Sequence, residues 1–372
     1  MITVVMWFAV TIILYTFLGF PVLIGLFARW FPRPVRQQAI TPTMTLLIPA
    51  YNEAAVIVEK LENSLAQDYP AAQLDIVVVT DGSNDTTMSI VQQYAHRGVR
   101  LFHQPERQGK IMAVNRVMPL MTSDIIVFSD ANGILDKGTL KALARNFADP
   151  DVGAVAGEKQ VSSGGEGLYW RYESFLKTCD STISSVMGAA GELFAVRREL
   201  FTPPEPDSII EDFVMSMRLV GDGWRVVYEP DAVSREDAAA SLAADWQRRT
   251  RIAAGGFQST ARLGRLLNPR LGWISWQYIS HRVLRWTVTP FLLPLVFALN
   301  ILLVKRPFYA ILVMSQTLFY GAGLLGYWQA KRGKQSGLLY TIFFFCFTNL
   351  AAIVGFARFI TNRQPVTWKK VR

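Results

Sequence analysis

The sequence lacks acidic residues over long stretches at both ends. All 29 Asp and Glu residues lie between Glu53 and Asp245, a segment with 17 basic residues and therefore a net charge of −12. The flanks, residues 1–52 and 246–372, hold the other 21 basic residues and no acid. Charged residues make up 18% of the chain, against roughly 25% in a soluble domain. The net charge of +9 therefore indicates membrane segments with basic edges, and it gives no support for nucleic-acid binding.

Cysteine and histidine are also scarce. Cys179 and Cys346 are isolated, and the three histidines, His96, His103 and His281, are scattered along the chain. This spacing excludes a disulfide framework and a zinc site. It also disfavours a Ser-His-Asp triad. Any chemistry is left to carboxylates, lysines, arginines and the backbone.

The first 28 residues contain no charged side chain, which is more than the ~20 residues needed to cross a bilayer core. They lack the basic start, short apolar core and cleavage site of a signal peptide. Residues 1–30 are therefore predicted to form a retained transmembrane helix. Arg29, Arg33 and Arg36 follow it, so we expect the next domain on the cytoplasmic side of the inner or plasma membrane, in a multi-pass protein.

Three further apolar stretches, at about 287–304, 307–330 and 338–360, predict a C-terminal transmembrane region over residues 287–362. A basic tail, 363–372, follows them. Three crossings would place this tail outside, against the positive-inside rule. Either one stretch is re-entrant or interfacial, or the tail breaks the rule.

A segment rich in tryptophan and arginine, residues 242–286, separates the soluble part from these stretches. Amphipathic helices in the headgroup layer have this composition, so interfacial helices are predicted here, the alternative being a basic linker. The residues that carry the pattern are Trp246, Arg248, Arg249, Arg251, Trp273, Trp276, Arg282, Arg285 and Trp286.

Residues 40–241 read as a soluble α/β domain. Apolar runs at Thr43–Tyr51, Leu74–Thr80, Val99–His103 and Asp124–Ser129 alternate with helical patterns, and Asn52 is placed to cap the first helix. Strands nearly continuous in Val and Ile predict a parallel sheet covered on both faces.

Polar residues follow three of these strands, at Tyr51, Asp81 and Asp130. Ligands of open α/β sheets bind at the carboxyl ends of the strands, so the three side chains are expected in one crevice. Asp81 suits a ribose hydroxyl or a base N–H, the alternative being a cap for the next helix. Asp130 with Asn132 suits a hard cation, because Mg²⁺ or Mn²⁺ needs only one or two protein oxygens when a diphosphate supplies the rest.

A further acidic pair, Glu211-Asp212, precedes the helical run Phe213–Val220. Acids are favoured at a helix N-terminus by the dipole, so simple helix initiation is one interpretation of this pair. A catalytic carboxylate is the other.

Six short motifs stand out along the chain. They are Pro49-Ala50-Tyr51-Asn52-Glu53, Thr80-Asp81-Gly82-Ser83, Gly109-Lys110, Ser129-Asp130-Ala131-Asn132, Glu211-Asp212 and Arg248-Arg249-Thr250-Arg251. In this order, and with membrane flanks, they resemble the membrane-bound family 2 glycosyltransferases. That group contains the cellulose, chitin, hyaluronan and poly-N-acetylglucosamine synthases, with ceramide glucosyltransferase as a non-polymerising relative. The resemblance implies a GT-A type α/β domain with a mixed, mainly parallel sheet.

The resemblance also implies roles for individual residues. Asp212, beside Glu211, would be the general base, and Asp130 with Asn132 would bind Mg²⁺ or Mn²⁺ on the diphosphate. One base and a metal-bound UDP leaving group suffice for a single inverting displacement. The residues implied for nucleotide and donor binding are Tyr51, Glu53, Asp81, Lys110, Arg248 and Arg251.

Two departures from the family pattern bear on the acceptor. Asn132 replaces the second Asp of the usual Asp-x-Asp, and Ile252 stands where the family has a Trp that can stack on an acceptor sugar. Trp246, or an aromatic such as Trp170 or Tyr172, could substitute for that Trp. Glu192 lies where the family builds part of its acceptor site, the alternative being a surface strand residue.

The first expectation is an inverting, metal-dependent enzyme that adds sugars from a UDP-sugar to a growing polysaccharide, coupled to export through its own spans or accessory export subunits. The missing Trp and the small number of spans make single transfer to a lipid acceptor the second. A non-catalytic nucleotide-binding membrane subunit is the third, and it is disfavoured because Asp81, Asp130 and Asp212 are all present.

Overall fold

The computed structural model describes residues 1–161, 167–237 and 241–365. Most of the predicted basic tail, including Lys369, Lys370 and Arg372, lies outside the described residues.

A single sheet organises the soluble domain within the described ranges. Its strands are β1 (Met44–Ala50), β2 (Leu74–Asp81), β3 (Val99–Gln104), β4 (Ile125–Ser129), β5 (Ile134–Leu135), β6 (Val152–Val161), β7 (Leu193–Arg197) and β8 (Arg225–Glu236). They lie in the order β3-β2-β1-β4-β7-β6-β8-β5. Strand β7 is antiparallel to both neighbours and β5 is antiparallel to β8, whereas the other pairs are parallel. The sheet is thus mixed and mainly parallel, as expected.

Helices cover the sheet and form the apolar flanks. They are α1 (Ile2–Leu14), α2 (Phe20–Trp30), α3 (Ile57–Leu65), α4 (Thr87–Gln93), α5 (Lys110–Val117), α6 (Thr139–Asn146), α7 (Gly167–Ile183), α8 (Glu211–Gly221), α9 (Leu242–Arg262), α10 (Trp273–Gln277), α11 (Thr289–Leu302), α12 (Pro307–Lys331) and α13 (Leu338–Ile360). The π-helical segments Tyr15–Gly19 and Tyr278–Val288 join α1 to α2 and α10 to α11.

The prediction that Asn52 caps the first helix of the domain is wrong. Helix α3 begins at Ile57, and Asn52 has a φ of 54°, in the left-handed region that Asn tolerates better than most residues. Its side-chain amide donates to Asn84 Oδ1 at 2.7 Å and its Oδ1 accepts from the Asn84 N–H at 2.9 Å. Asn52 therefore ties the loop after β1 to the loop after β2.

Both faces of the sheet are buried, which explains the continuous Val and Ile runs. On one face, Ile48 and Val78 pack with Leu61 of α3 and Leu143 of α6. The other face is covered by α5, α8 and also α9, and the membrane-proximal Tyr278 is fully buried in the same cluster. Helix α9 and Tyr278, which lie in the segment predicted to be interfacial, are thus part of the hydrophobic core of the domain.

Among the described residues, four helices are long and apolar enough to cross a membrane. They are Ile2–Trp30, Trp273–Leu302, Pro307–Lys331 and Leu338–Ile360. The second begins 14 residues before the stretch predicted at 287. This helix contains three basic residues, and they pair with carboxylates of α7. For example, His281 binds Asp180 and Arg285 binds Glu173.

Helix α9 packs tightly against the last apolar helix. A β-carbon at Gly355 of α13 would lie 2.6 Å from the Ala253 Cβ and 2.8 Å from the Ala254 N. The backbones of the two helices can approach this closely only because residue 355 has no side chain. This contact joins the membrane region to the helix that carries Arg248 and Arg251.

Replacing Gly355 by Leu should therefore lower the melting temperature of the detergent-solubilised protein, because overpacking of this kind costs about 1–3 kcal/mol. The matched control is Gly321→Leu in α12, where an added β-carbon meets no atom within 4 Å. Equal melting temperatures for the two variants, measured by thermal unfolding in one detergent, would contradict the packing described.

Candidate active site

The ends of three neighbouring parallel strands meet at one edge of the sheet. Ala50 of β1 lies opposite Thr80 of β2, and Leu47 of β1 lies opposite Phe128 of β4. This register brings Tyr51, Asp81 and Asp130 to the same crevice, as the sequence predicts.

Asp81 organises the loop that leads to Lys110. Its carboxylate is buried and accepts from the backbone N–H groups of Gln108, at 3.0 Å, and Gly109, at 2.6 Å. Asp81 does not take the alternative role as a cap of α4, because the N-cap residue is Thr86 and the Thr87 N–H at the start of the helix donates to Asp85 at 2.9 Å.

The same loop packs against Tyr51, at the end of β1. The Arg107 guanidinium lies 3.7 Å from the centre of the Tyr51 ring, within cation–π distance. This approach requires Gly82, whose φ is +66° and whose added β-carbon would lie 2.7 Å from the Arg107 Cβ. Glu53 is buried beside it, and its backbone N–H donates to Thr87 Oγ1 at 2.8 Å. The sequence analysis missed Arg107, although it directly precedes the Gln108-Gly109-Lys110 turn.

Lys110 joins two of the predicted motifs. Its Nζ lies 2.8 Å from Asp130 Oδ1 and 3.5 Å from Glu211 Oε1. Burial alone would lower the pKa of Lys110, but the negative charges of Asp130 and Glu211 outweigh it and raise the pKa above its usual value. Lys110 is therefore a fixed positive charge between the predicted metal-binding turn and the predicted base.

A buried lysine supports the turn that carries Asp130 and Asn132. Lys60 of α3 is fully buried, and its Nζ donates to Ser129 Oγ at 2.7 Å and to the Gly133 carbonyl at 2.5 Å. Burial lowers the pKa of Lys60 to about 7, and the charges of Asp130 and Glu236 oppose this shift. No local pattern points to Lys60, because it lies among ordinary helix residues.

The Glu211-Asp212 pair begins helix α8, so both the helix-initiation and the active-site interpretations hold geometrically. Burial raises the pKa of Asp212 to about 7, the charge of Glu211 adds to the rise, and Lys110 opposes it. Gly191 lies directly against this carboxylate, because an added β-carbon would be 3.2 Å from Asp212 Oδ2. A carboxylate that titrates near neutral pH in a crevice suits a general base.

An alternating row of charges begins at Glu192, which directly follows Gly191. Glu192 Oε1 lies 3.0 Å from Arg248 Nη2 and 2.6 Å from Lys159 Nζ, and Lys159 also binds Glu236 Oε2 at 2.6 Å. Despite its burial, Glu192 has a pKa well below its usual value because Lys159 and Arg248 favour the charged form. Glu192 is therefore not a simple surface residue. The sequence analysis missed Lys159 and Glu236 because their partners lie at least 33 residues away.

The remaining predicted residues lie on α9, and their side chains contact different parts of the protein. Arg251 donates to the Ile209 carbonyl at 2.9 Å, just before the Glu211-Asp212 pair. Trp246 packs against Phe347 of α13, with ring centres 5.1 Å apart, and Ile252 packs against the domain core. Trp246 and Ile252 thus both contact protein, and both are partly exposed.

The oxygen donors at the Asp130 turn suit a hard divalent cation. About a third of the Asp130 side chain is exposed, and Asn132 is partly exposed two residues on. No group of three or more His, Cys, Asp and Glu side chains able to hold a metal ion occurs in the part of the chain that the structure describes. The residues therefore fit a cation that takes most of its ligands from a bound diphosphate.

Residues 42–255 match the family described as glycosyltransferase like family 2. The match covers more than half of the chain and contains all six motifs. The chain belongs to this family, and it is an enzyme of the glycosyltransferase class.

Two curated relatives make different products. Poly-beta-1,6-N-acetyl-D-glucosamine synthase of Staphylococcus aureus (strain COL) is 26% identical over 227 residues, 58% of this chain and 55% of the relative. Beta-monoglucosyldiacylglycerol synthase of Trichormus variabilis is 28% identical over 263 residues, 66% of this chain and 55% of the relative. The chain spans about half the length of the curated relatives it matches.

A solved structure resembles nearly the whole chain. The mannosyltransferase PcManGT from Pyrobaculum calidifontis, in complex with GDP-Man and Mn²⁺, is 25% identical, with a TM-score of 0.75. The alignment covers 96% of this chain and 99% of that one. The catalytic domain has the GT-A glycosyltransferase fold, as predicted.

Removing the buried charge of Lys159 should destabilise the protein. Lys159→Met leaves the carboxylates of Glu192 and Glu236 without the ammonium between them, which costs about 3–5 kcal/mol for a buried pair. Adding Glu236→Gln to this variant should recover part of the loss, because one buried charge is then removed.

The control is Lys141→Met. Lys141 pairs with Asp68 at an exposed site, and such pairs contribute about 0–1 kcal/mol. Chemical unfolding of the four proteins in detergent would measure the differences. A Lys159→Met variant as stable as Lys141→Met would contradict the role of the row of charges.

Proposed function

We propose that this protein transfers a hexosyl group from a UDP-sugar to an acceptor hydroxyl at the membrane, with inversion at the anomeric carbon. The observation that carries the proposal is the placement of Asp212 beside Glu211 and Lys110, facing the Asp130 turn. A base, a cation-binding turn and a fixed positive charge thus share one crevice.

The donor would occupy the strand-end crevice. Tyr51, Glu53 and Asp81 line the side where the nucleoside would bind, and Asp81 already fixes the loop that ends in Lys110. The uridine assignment comes from the resemblance of the motifs, whereas PcManGT was solved with GDP-Man. A donor panel for this chain should therefore include GDP-mannose beside UDP-glucose, UDP-N-acetylglucosamine, UDP-galactose and UDP-glucuronate.

Asp130 and Asn132 would hold a Mg²⁺ or Mn²⁺ ion together with the diphosphate. Such an ion would neutralise the charge that develops on the departing diphosphate. Lys110 would supply a second positive charge at the same group. Arg248 and Arg251, on the helix above the crevice, would complete the binding of the diphosphate, since arginine matches phosphate geometry.

Asp212 would act as the base. The acceptor hydroxyl gives its proton to the Asp212 carboxylate while its oxygen forms a bond to the anomeric carbon. The bond from that carbon to the diphosphate oxygen breaks, and UDP leaves with the electron pair. One displacement from the face opposite the leaving group inverts the configuration, and no second carboxylate is required.

Among acceptors, the contacts favour single transfer to a membrane lipid. Ile252 has no aromatic face to offer an acceptor sugar, and the Trp246 ring packs against Phe347. A processive enzyme must hold the sugar it has just added, whereas a single transfer need not. Polysaccharide elongation, the first expectation from the sequence, is kept as the second candidate because the Staphylococcus aureus relative is a polysaccharide synthase.

We further propose that the four apolar helices cross the cell membrane and that the catalytic domain faces the cytoplasm. Arg29 lies in the last turn of the first of them and Arg33 follows its end, in the position that the positive-inside rule assigns to the cytoplasmic side. Donor nucleotides are then on the same side as the crevice. Accessory export subunits would be required only for the polysaccharide candidate.

Product size separates the two acceptors. The purified protein would be incubated with each radiolabelled nucleotide sugar and a membrane lipid extract, and the products resolved by thin-layer and size-exclusion chromatography. One lipid-soluble product carrying a single sugar is expected. A ladder or a high polymer would overturn the lipid assignment and support elongation.

Asp212→Asn should abolish turnover and leave UDP binding intact, because the amide cannot accept the hydroxyl proton at neutral pH. Turnover of the wild type should also fall as the pH drops through about 7, where Asp212 becomes protonated. Glu211→Gln removes a negative charge that raises the pKa of Asp212, so the acid limb should move to lower pH.

The control for this shift is Glu205→Gln. Glu205 is an acid already paired with Arg218 and Arg262, so its removal should leave the limb in place. The measurement is the pH profile of kcat/KM for each variant, with UDP binding followed by calorimetry. Undiminished turnover of Asp212→Asn would remove the base assignment.

A further inference from the structure

The residue after the proposed base connects the active site with a membrane helix. Phe213 follows Asp212 in α8, and its backbone N–H donates to the Asp212 carboxylate. The Phe213 side chain is buried. Anything that fixes the Phe213 ring therefore also fixes the orientation of the carboxylate beside it.

Two aromatic residues of the helix Trp273–Leu302 hold this ring. The Trp286 ring centre lies 5.0 Å from that of Phe213 at an interplanar angle of 60°. The Tyr278 ring centre lies 6.4 Å away at 28°. Edge-to-face and offset contacts at these distances are the favoured arrangements of aromatic pairs.

Backbone closes the arrangement from two other directions. Gly188, with a φ of +97°, lies directly against the Phe213 ring, where a β-carbon would overlap the ring atoms. Gly256 of α9 lies against Trp286, where a β-carbon would be 2.6 Å from the indole. Phe213 thus packs against Gly188 as well as Trp286, so a displacement of Trp286 would alter the packing of the Phe213 ring.

Polar contacts fix the membrane helix in this register. Arg282 donates from Nε to the Met187 carbonyl at 2.6 Å, and its guanidinium lies 5.6 Å from the Trp286 ring centre. One turn on, Arg285 binds Glu173 of α7 at 2.6 Å. Arg282 binds the carbonyl of the residue directly before Gly188, and Gly188 packs against the Phe213 ring. The same helix therefore holds the ring directly, through its aromatic residues, and also through the Gly188 backbone.

We infer that Trp286 is a positioning residue for the catalytic base: through Phe213 it orients Asp212, so a membrane helix sets the geometry of the proton acceptor. This inference rests on the proposed function, because it assigns Trp286 a role through Asp212. Trp286 contacts Phe213, Gly256 and Arg282, none of which is proposed to bind donor or acceptor, so its removal should affect the chemical step and not donor binding.

The test compares Trp286→Leu, Trp286→Phe and Trp276→Ala in the full chain in detergent. Trp286→Leu keeps apolar volume but loses the edge-to-face contact, so kcat should fall about 10- to 100-fold while donor KM and UDP binding stay unchanged. Trp286→Phe retains a ring and should restore most of kcat.

Trp276 is the matched control on the same helix. Its indole N–H donates to the Tyr15 hydroxyl at 2.9 Å and its ring packs on Phe20 and Phe27, away from α8. Trp276→Ala should therefore leave kcat unchanged even if it lowers the melting temperature.

Full kcat in Trp286→Leu would overturn the inference, and so would an equal loss of kcat in Trp276→Ala. If Trp286→Leu fails to bind UDP, a second variant, Gly188→Ala, decides the matter, because the added methyl group presses on Phe213 from the other side. This variant must show the same loss of kcat with unchanged UDP binding. If it does not, the inference is rejected. Turnover by Asp212→Asn would instead reject the proposed base. Inactive Asp212→Asn together with fully active Trp286→Leu rejects the positioning role alone.

Discussion

The crevice depends on lysines that hold pairs of carboxylates close together. Lys110 lies between Asp130 and Glu211, and Lys159 lies between Glu192 and Glu236. Carboxylates this near to one another repel, and burial adds a further penalty for each charge. Without an ammonium between them, they would protonate or move apart. The lysines therefore allow the proposed cation-binding turn and the proposed base to be present before any substrate binds.

This balance also explains why the carboxylates differ in protonation. Glu192 is held in its charged form by Lys159 and Arg248, whereas the pKa of Asp212 is raised by burial and by Glu211. On the proposed function, the first would be a permanent anion and the second a proton acceptor. A bound diphosphate would bring the negative charge that lets Lys110, the arginines and a divalent cation lie near one another. Binding of the donor would then also balance the positive charges of these groups.

The sequence predicted the strands and the crevice well because those features are local. A continuous Val and Ile run predicts a buried strand, and the residue after it must lie at the sheet edge, which is how Asp81 and Asp130 were found. Asn52 was misassigned because capping and left-handed turns favour the same residue, and only the partner Asn84 distinguishes them. Lys60 and Lys159 were missed since each acts on residues distant in the chain. Their role depends on the fold and leaves no local pattern.

The tryptophan- and arginine-rich segment shows why composition alone could not assign its role. Such residues are typical of the membrane interface, yet Arg282 and Arg285 here bind the Met187 carbonyl and Glu173, and Tyr278 is fully buried in the domain core. A helix that served only as an anchor would keep its basic residues in the headgroup layer. Here the basic residues bind groups within the protein, so the end of an apolar helix also packs as part of the catalytic domain. The apolar C-terminal region and the proposed active site therefore cannot be treated as independent modules, because a helix long and apolar enough to cross a membrane also packs against the residue beside the proposed base.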